Sequence, residues 1–279
     1  MAYEVSYVDN ADTVLAHCKM VDRIKTLALA NGWTALRDVS TTDTREIILK
    51  GIGLTGLEEI FVGIKTYYSS GADVYNLTIG GFTGYLAGST FETQPGYILS
   101  SIPAHNNRID YWLIVNAQRI ACAMKVGTPV YESFYMGKFF PYARPTQYPY
   151  PLYVGGSLAA NAITRFSETT HSMPYKGNAA VTQNLRSLSG SVSNYTYPYN
   201  NNALSGSYGQ LRDSTDIYHI LPIELYDSLN VYGVLDGIYH ISGFNNAVEN
   251  TLVIGGNTYV VIQDVGRTGH SDYYAMRLQ

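Results

Sequence analysis

The chain has 279 residues, of which only 14% are charged, and a formal net charge of −4. That length supports one large β domain or two smaller ones with a real core, and the scattered Lys and Arg form no basic patch, which argues against direct nucleic-acid binding. Charged residues make up about 25% of an ordinary globular chain, so with 26 tyrosines and 26 glycines the surface must be covered largely by uncharged polar groups, as in a subunit buried within an assembly. Glu4, Asp9 and Asp12 stand where a secretory signal would carry Lys or Arg, and no apolar run reaches the ~18 residues of a membrane span. These features predict a soluble chain made in a cytoplasm. Cys18 and Cys122 show no CxxC spacing and read as buried thiols.

In chain order, Asp12 or Thr13 is placed to cap a helix in which Val14, Cys18, Val21, Leu27 and Ala28 recur at helical spacing, with Gly32 as its C′ glycine. REIILK then looks strand-like, and in GLEEIFVGIKTYY the residues Ile60, Val62 and Ile64 alternate with Glu59, Gly63 and Lys65, the pattern of a half-buried strand. DVYNLTIGGFTGY (73–85), RIDYWLIVNA (108–117), RIACAMKVG (119–127) and VYESFYMGKFF (130–140) read as further strands, the second and third forming a hairpin that turns at Asn116 and Ala117.

FFPYARPTQYPYPLYVGG (139–156) follows, with prolines at 141, 145, 149 and 151. Each proline fixes φ and removes a donor, which predicts an extended, irregular ribbon and excludes a helix or a central strand. No two of these prolines are three residues apart, so a PxxP ligand is disfavoured. Two readings stay open: a loop wrapped over a β core with wet hydroxyls, or a subunit interface, where aromatics and Arg are enriched. The interface candidates are Phe139, Phe140, Tyr142, Arg144, Tyr148, Tyr150 and Tyr153.

From Ser157 to Gln210 the chain is rich in Ser, Asn, Gly and Ala and shows no periodicity. Tyr195, Tyr197 and Tyr199 nevertheless distinguish it from an ordinary disordered tract, and these three join the interface candidates. The last third returns to β signals: IYHILPIELY (217–226), with Pro222 at an edge or bulge, NVYGVLDGIYHISGF (230–244), and NTLVI paired with NTYVVIQDV through Gly255, Gly256 and Asn257, a strong hairpin signal.

The fold expected is mainly β, an antiparallel sandwich or barrel-like body with a small N-terminal α-containing lobe and long irregular excursions. The expected divisions are an α+β lobe (1–70), a first β body ending in the ribbon (71–156), a polar excursion (157–213) and a C-terminal sheet region packing on the first body (214–279).

Motifs for chemistry are weak. Gly51, Gly53 and Gly56 form a GxGxxG after a strand, but a dinucleotide site needs a helix to start there and Glu58 to Lys65 alternates as a strand, so a glycine-rich turn is expected. His17, His105, His171, His219, His240 and His270 are isolated in sequence, with no HxH or HExxH pair. His219 and His240 could meet across a sheet. Glu58 and Glu59 would point to opposite strand faces and cannot pair as acid and base. There is no GxSxG elbow, and Cys122, between alanines in a strand, reads as core. No enzyme, cofactor or metal site is expected.

Several blocks resemble a group of tailed-bacteriophage virion structural proteins: 139–157 (FFPYARPTQYPYPLYVGGS), LRD (211–213), LPI (221–223), GVLDGIYHISGFNNAVEN (233–250) and VGRTGHSDYYAMRL (265–278), with LKGIGLTGLEEIFVGI (49–64) as an upstream part of the same pattern. The resemblance spans most of the chain and is weakest between Ala159 and Gln210. It implies a non-enzymatic tail or baseplate component, assembled in the bacterial host cytoplasm, whose partners are tail tube, sheath or baseplate subunits and copies of itself. The alternatives are a receptor- or carbohydrate-binding tail module, since Tyr, Asn and Ser-rich loops also make adaptable recognition surfaces, and a head–tail neck component. An envelope- or wall-degrading enzyme is disfavoured by the missing acid and base constellation.

Overall fold

The computed structural model describes residues 2–142, 151–158, 162–167, 171–176, 183–187, 190–193, 195–197, 218–226 and 230–279. In chain order the elements are β1 (Ala2–Val8), α1 (Ala16–Leu29), β2 (Trp33–Ser40), β3 (Arg45–Gly51), β4 (Ile60–Ser69), β5 (Val74–Phe82), β6 (Ile98–Ala104), β7 (Ile109–Asn116), β8 (Arg119–Lys125) and β9 (Tyr131–Lys138). There follow β10 (Phe140–Pro141), β11 (Leu152–Gly156), β12 (Gln183–Ser187), β13 (Gly190–Ser193), β14 (Tyr195–Tyr197), β15 (Leu221–Tyr226), β16 (Val231–His240), β17 (Thr251–Ile254), β18 (Asn257–Gln263) and β19 (Tyr273–Arg277). The chain is therefore mainly β, as its sequence predicts. Among the strands not expected from the sequence are β1, β2, β6 and β19.

The strands form three sheets, in the orders β1-β7-β8-β9-β11-β12-β13, β2-β3-β4-β5-β6, and β14-β15-β16-β19-β18-β17 with β10 added on β16. Neighbours pair antiparallel, and among the described residues no sheet closes on itself, so the sandwich expectation holds rather than the barrel. The first sheet is the middle layer. One of its faces, through Ile109, Tyr111, Leu113, Cys122 and Phe134, shares a core with α1 and with Ile47, Val62, Ile64 and Leu77 of the second sheet. Its other face, through Trp112, Ile114, Ala121 and Tyr135, packs on Leu225, Ile238, Ile262 and Met276 of the third. Burial on both faces explains why β7 and β8 read as continuous apolar runs rather than as alternation.

The expected β7–β8 hairpin forms, but its turn residues are Ala117 and Gln118, one position later than Asn116 and Ala117, because Asn116 is still paired, opposite Arg119. β17 and β18 join through Gly255 and Gly256, both at positive φ (58° and 80°), in the left-handed pair that a two-residue hairpin needs. Pro222 sits beside a register shift in the β15–β16 pair, the bulge option of its expectation. Among strands that alternate, β4 buries Ile60, Val62 and Ile64.

Other expectations need correction. The helix begins at Ala16 with Leu15 as N-cap and no side-chain cap from either Asp12 or Thr13. Asp12 instead accepts from the Val14 amide at 2.8 Å and pairs with Lys19 at 2.9 Å, while the Ala16 amide donates to Asn106 Oδ1 at 2.9 Å, from a loop 90 residues away. A partner so remote could not be read locally. The line drawn between residues 70 and 71 runs through the β4–β5 pair, in which Ser69 stands opposite Val74, and β1 pairs with β7, so the N-terminal segment shares its sheets with the rest of the chain. Long-range pairing is invisible to composition.

Candidate assembly surface

The proline-rich ribbon is sewn into two sheets at its ends. The Phe139 amide donates to the Pro151 carbonyl at 3.2 Å, and the Phe139 ring is fully buried among third-sheet residues. Phe140 and Pro141 then pair with Val234 and Gly233, where Gly233 is required because a Cβ there would lie 2.1 Å from the Phe140 carbonyl oxygen. Beyond Pro151, β11 lies between β9 and β12, so the expectation of an irregular ribbon with no central strand is wrong for its last residues. The reason is that Pro151 precedes the strand, so no ladder donor is lost within it.

Of the ten interface candidates, Phe139 and Tyr153 belong to the chain's own core. Tyr153 is fully buried, lies edge-on to Tyr135 with ring centroids 5.7 Å apart, and its hydroxyl donates to the Pro174 carbonyl. Phe140 and Tyr142 are exposed. The Tyr142 amide donates to the Tyr232 carbonyl, and its hydroxyl donates to Glu224 Oε1 at 2.7 Å. That carboxylate contact pushes the phenol up to about 12. Tyr195 and Tyr197 lie in β14, where Tyr195 stands opposite Tyr226 and Tyr197 opposite Glu224. Arg144, Tyr148, Tyr150 and Tyr199 lie outside the described residues.

A more prominent apolar surface comes from the glycine-rich turn between β3 and β4. Gly53 (φ 68°) and Gly56 (φ 76°) are in the left-handed region, and a 3.2 Å bond from the Gly56 amide to the Gly53 carbonyl closes the turn. The turn is fixed from two sides: the Ile52 amide donates to Gly32 at 3.2 Å and the Gly53 amide to Ala117 at 2.9 Å. Lys138 pairs with Glu58 at its base, and Lys50 with Glu59. Both glutamates precede β4 and serve separate ion pairs. Held this way, the turn turns apolar side chains outward, with Leu57 90% exposed, Leu54 55% and Ile52 41%. No helix follows the glycines, so the GxGxxG is a turn between antiparallel strands.

The polar chemistry is buried and links segments far apart in sequence. His171 Nδ1 lies 2.8 Å from Glu132 Oε1 of β9, and its Nε2 lies 2.7 Å from Thr164 Oγ1. Hydroxyl, imidazole and carboxylate thus stand in line, but His171 and Glu132 have no solvent exposure, and the chain of bonds acts as a pin that ties Thr164 and His171 to β9. Burial raises Glu132 above the usual carboxylate range, opposed by its bond to His171. Beside it, buried Asp264 accepts from the Met173 amide at 2.5 Å, from Ser172 Oγ at 3.2 Å and from Lys176 at 2.8 Å. Sequence reasoning missed this network because its members are single residues, and all its bonds but Thr164–His171 join positions 39 to 92 apart.

His219 is exposed and outside the strands, and His240 lies near His270 instead, so the His219–His240 contact that the sequence allowed does not form. Burial, with a smaller contribution from His270, lowers His240 to about 4. Cys18 and Cys122 are free, buried thiols, and burial holds Cys122 well above the ordinary thiol range. Among the described residues no group of three or more His, Cys, Asp or Glu is placed to hold a metal ion, and no helix is long and apolar enough to cross a membrane.

The fold and surface define a three-layer antiparallel β protein that carries a rigid apolar knob. No protein-family model matches the chain, and no curated protein is similar to it.

Proposed function

We propose that this chain is a non-enzymatic structural component of a tailed-phage virion, in the tail or baseplate, contacting copies of itself and neighbouring virion subunits. The observation that carries the reading is the knob of Ile52, Leu54 and Leu57. An exposed leucine on a free loop means little, but these three apolar side chains stand on a turn whose backbone is hydrogen-bonded to Gly32 and Ala117 and whose base is paired with Lys138. A partner that covers them gains burial without the entropic cost of fixing a loop. Low overall charge and the exposed aromatic pair Phe140 and Tyr142 are of the kind that large permanent contacts use. The knob also lies in the run 49–64 that resembles the virion group.

Mass spectrometry of purified particles tests this directly. The chain should be present at a fixed stoichiometry to known tail subunits, and its absence from washed particles would overturn the assignment. Particles assembled with Leu57→Asp should lack the chain or fail to complete the tail, while the purified variant remains folded.

A further inference from the structure

We propose that β1 is a self-association edge, through which two copies of this chain pair antiparallel about Val5. This inference goes beyond the virion reading and does not depend on it.

The first observation is an overhang. Tyr3, Val5 and Tyr7 lie opposite Ile114, Trp112 and Asp110 of β7, on the face that packs against the third sheet. That sheet buries Ile114 and Trp112 but leaves β1 uncovered: Val5 is 50% exposed, and Tyr3 and Tyr7 are similar. An open cleft of about 310 Å³ lies alongside, lined by Val5, Tyr7, Arg108, Asp110, Trp112 and Lys125 among others.

The second is the contrast with the other sheet edges. Exposed edges are normally blunted by short strands, bulges, charges or proline. β2 has a bulge between Ala35 and Arg37, and β6 carries Pro103 and is bridged at Ser101 by Leu158. β13, β14 and β17 have four, three and four residues. β1 pairs with β7 over seven residues without a register shift, and among the described residues β7 is its only strand partner. It has no proline and no basic residue. Its one charge, Glu4, turns to the opposite face, where it accepts from Arg23 at 2.7 Å and from the Tyr111 hydroxyl.

The third observation selects the occupant. Residues 3–7 read Tyr-Glu-Val-Ser-Tyr, which is nearly palindromic about Val5. In an antiparallel pair centred there, Val5 faces its own copy and Tyr3 faces Tyr7 of the other chain. These are cross-strand partners of the kind that stabilise sheets. On the reverse face Glu4 meets Ser6, so no like charges oppose. The contact is isologous, with the same patch on both subunits, and it joins two middle sheets into one continuous sheet.

Sedimentation equilibrium of the purified chain should show a concentration-dependent monomer–dimer equilibrium. Val5→Lys, which sets like charges opposite each other at the axis, should weaken it at least tenfold while leaving the circular-dichroism spectrum unchanged. Cysteine crosslinking keeps the proposal testable if that variant misfolds. Directly opposed side chains have Cβ atoms about 5 Å apart, so Val5→Cys should give a covalent dimer with a short thiol crosslinker. Tyr3→Cys should not, because its two copies would lie about 13 Å apart along the strands. The native cysteines are buried and do not compete. A strictly monomeric mass across the concentration range, or crosslinking of Tyr3→Cys equal to Val5→Cys, overturns the proposal. Pairing of β1 with a different protein would leave the purified chain monomeric, and that result also overturns it.

Discussion

Acidification should destabilise this protein in a window set by its buried histidines. His17 has no exposed surface, lies edge-on to Tyr75 with centroids 5.3 Å apart, and is held down to about 4 from its ordinary 6.5 by burial and by the nearby Arg45 guanidinium. His240 is lowered to about 4 as well, chiefly by burial. A histidine whose folded value is depressed is bound by more protons in the unfolded chain between those two values, so stability rises with pH across the interval. It is complete above 6.5 and is lost as pH falls toward 4. Each imidazole then costs about 2 kcal/mol at pH 5 relative to pH 7.5, a large share of the roughly 5–15 kcal/mol that holds a domain together. Glu132, raised by burial, acts with the opposite sign, so the decisive quantity is a difference between proteins. Urea unfolding of wild type and His17→Gln at pH 7.5 and pH 5 supplies it. The gap between the two should change by about 2 kcal/mol in favour of the variant at the lower pH. A gap that stays constant within about 0.5 kcal/mol, at the level of ordinary surface effects, would refute the assignment of His17 as a buried neutral group.

Other substitutions follow from the same structure. Tyr153→Phe leaves the Pro174 carbonyl without its buried donor and should cost about 1–3 kcal/mol; Tyr153→Ala adds a cavity and should cost about 3–5 kcal/mol, both read from the urea midpoint at constant slope. Asp236 accepts from Asn116 at 2.7 Å and Gln118 at 3.1 Å and lies 3.4 Å from fully buried Arg119, so Asp236→Asn should cost about 3–5 kcal/mol by removing the carboxylate charge that faces a buried guanidinium. His171→Ala should raise cleavage near Thr164 and His171 in limited proteolysis under native conditions, since it removes the pin to Glu132. Leu57→Asp should change stability by no more than about 0.5 kcal/mol while blocking incorporation into particles, as a quantitative blot of purified particles would show.

The ribbon shows where local reading stops. Proline geometry correctly constrained residues 141 and 151, but whether a neighbouring aromatic faced its own core or the outside was a matter of which sheet lay across from it. Phe139 and Phe140 are adjacent, equally apolar, and differ in burial because only Phe139 points between the first and third sheets. The knob was visible in sequence as glycines that break a helix and form a turn. Its exposure was not, because a leucine is more often buried than displayed.

The amino-acid sequence alone determined the local features of this protein: the mainly β character, the existence of the β7–β8 hairpin, the hairpin at Gly255–Gly256, and the turn at Gly53 and Gly56. Each depends on φ, on a missing donor or on side-chain period within a few residues. Tertiary structure alone decided the helix cap supplied by Asn106, the central placement of β11, the Thr164–His171–Glu132 pin and the uncovered face of β1. Those features arise where segments tens of residues apart meet, and a strand's own pattern shows which face is apolar but not what will cover it.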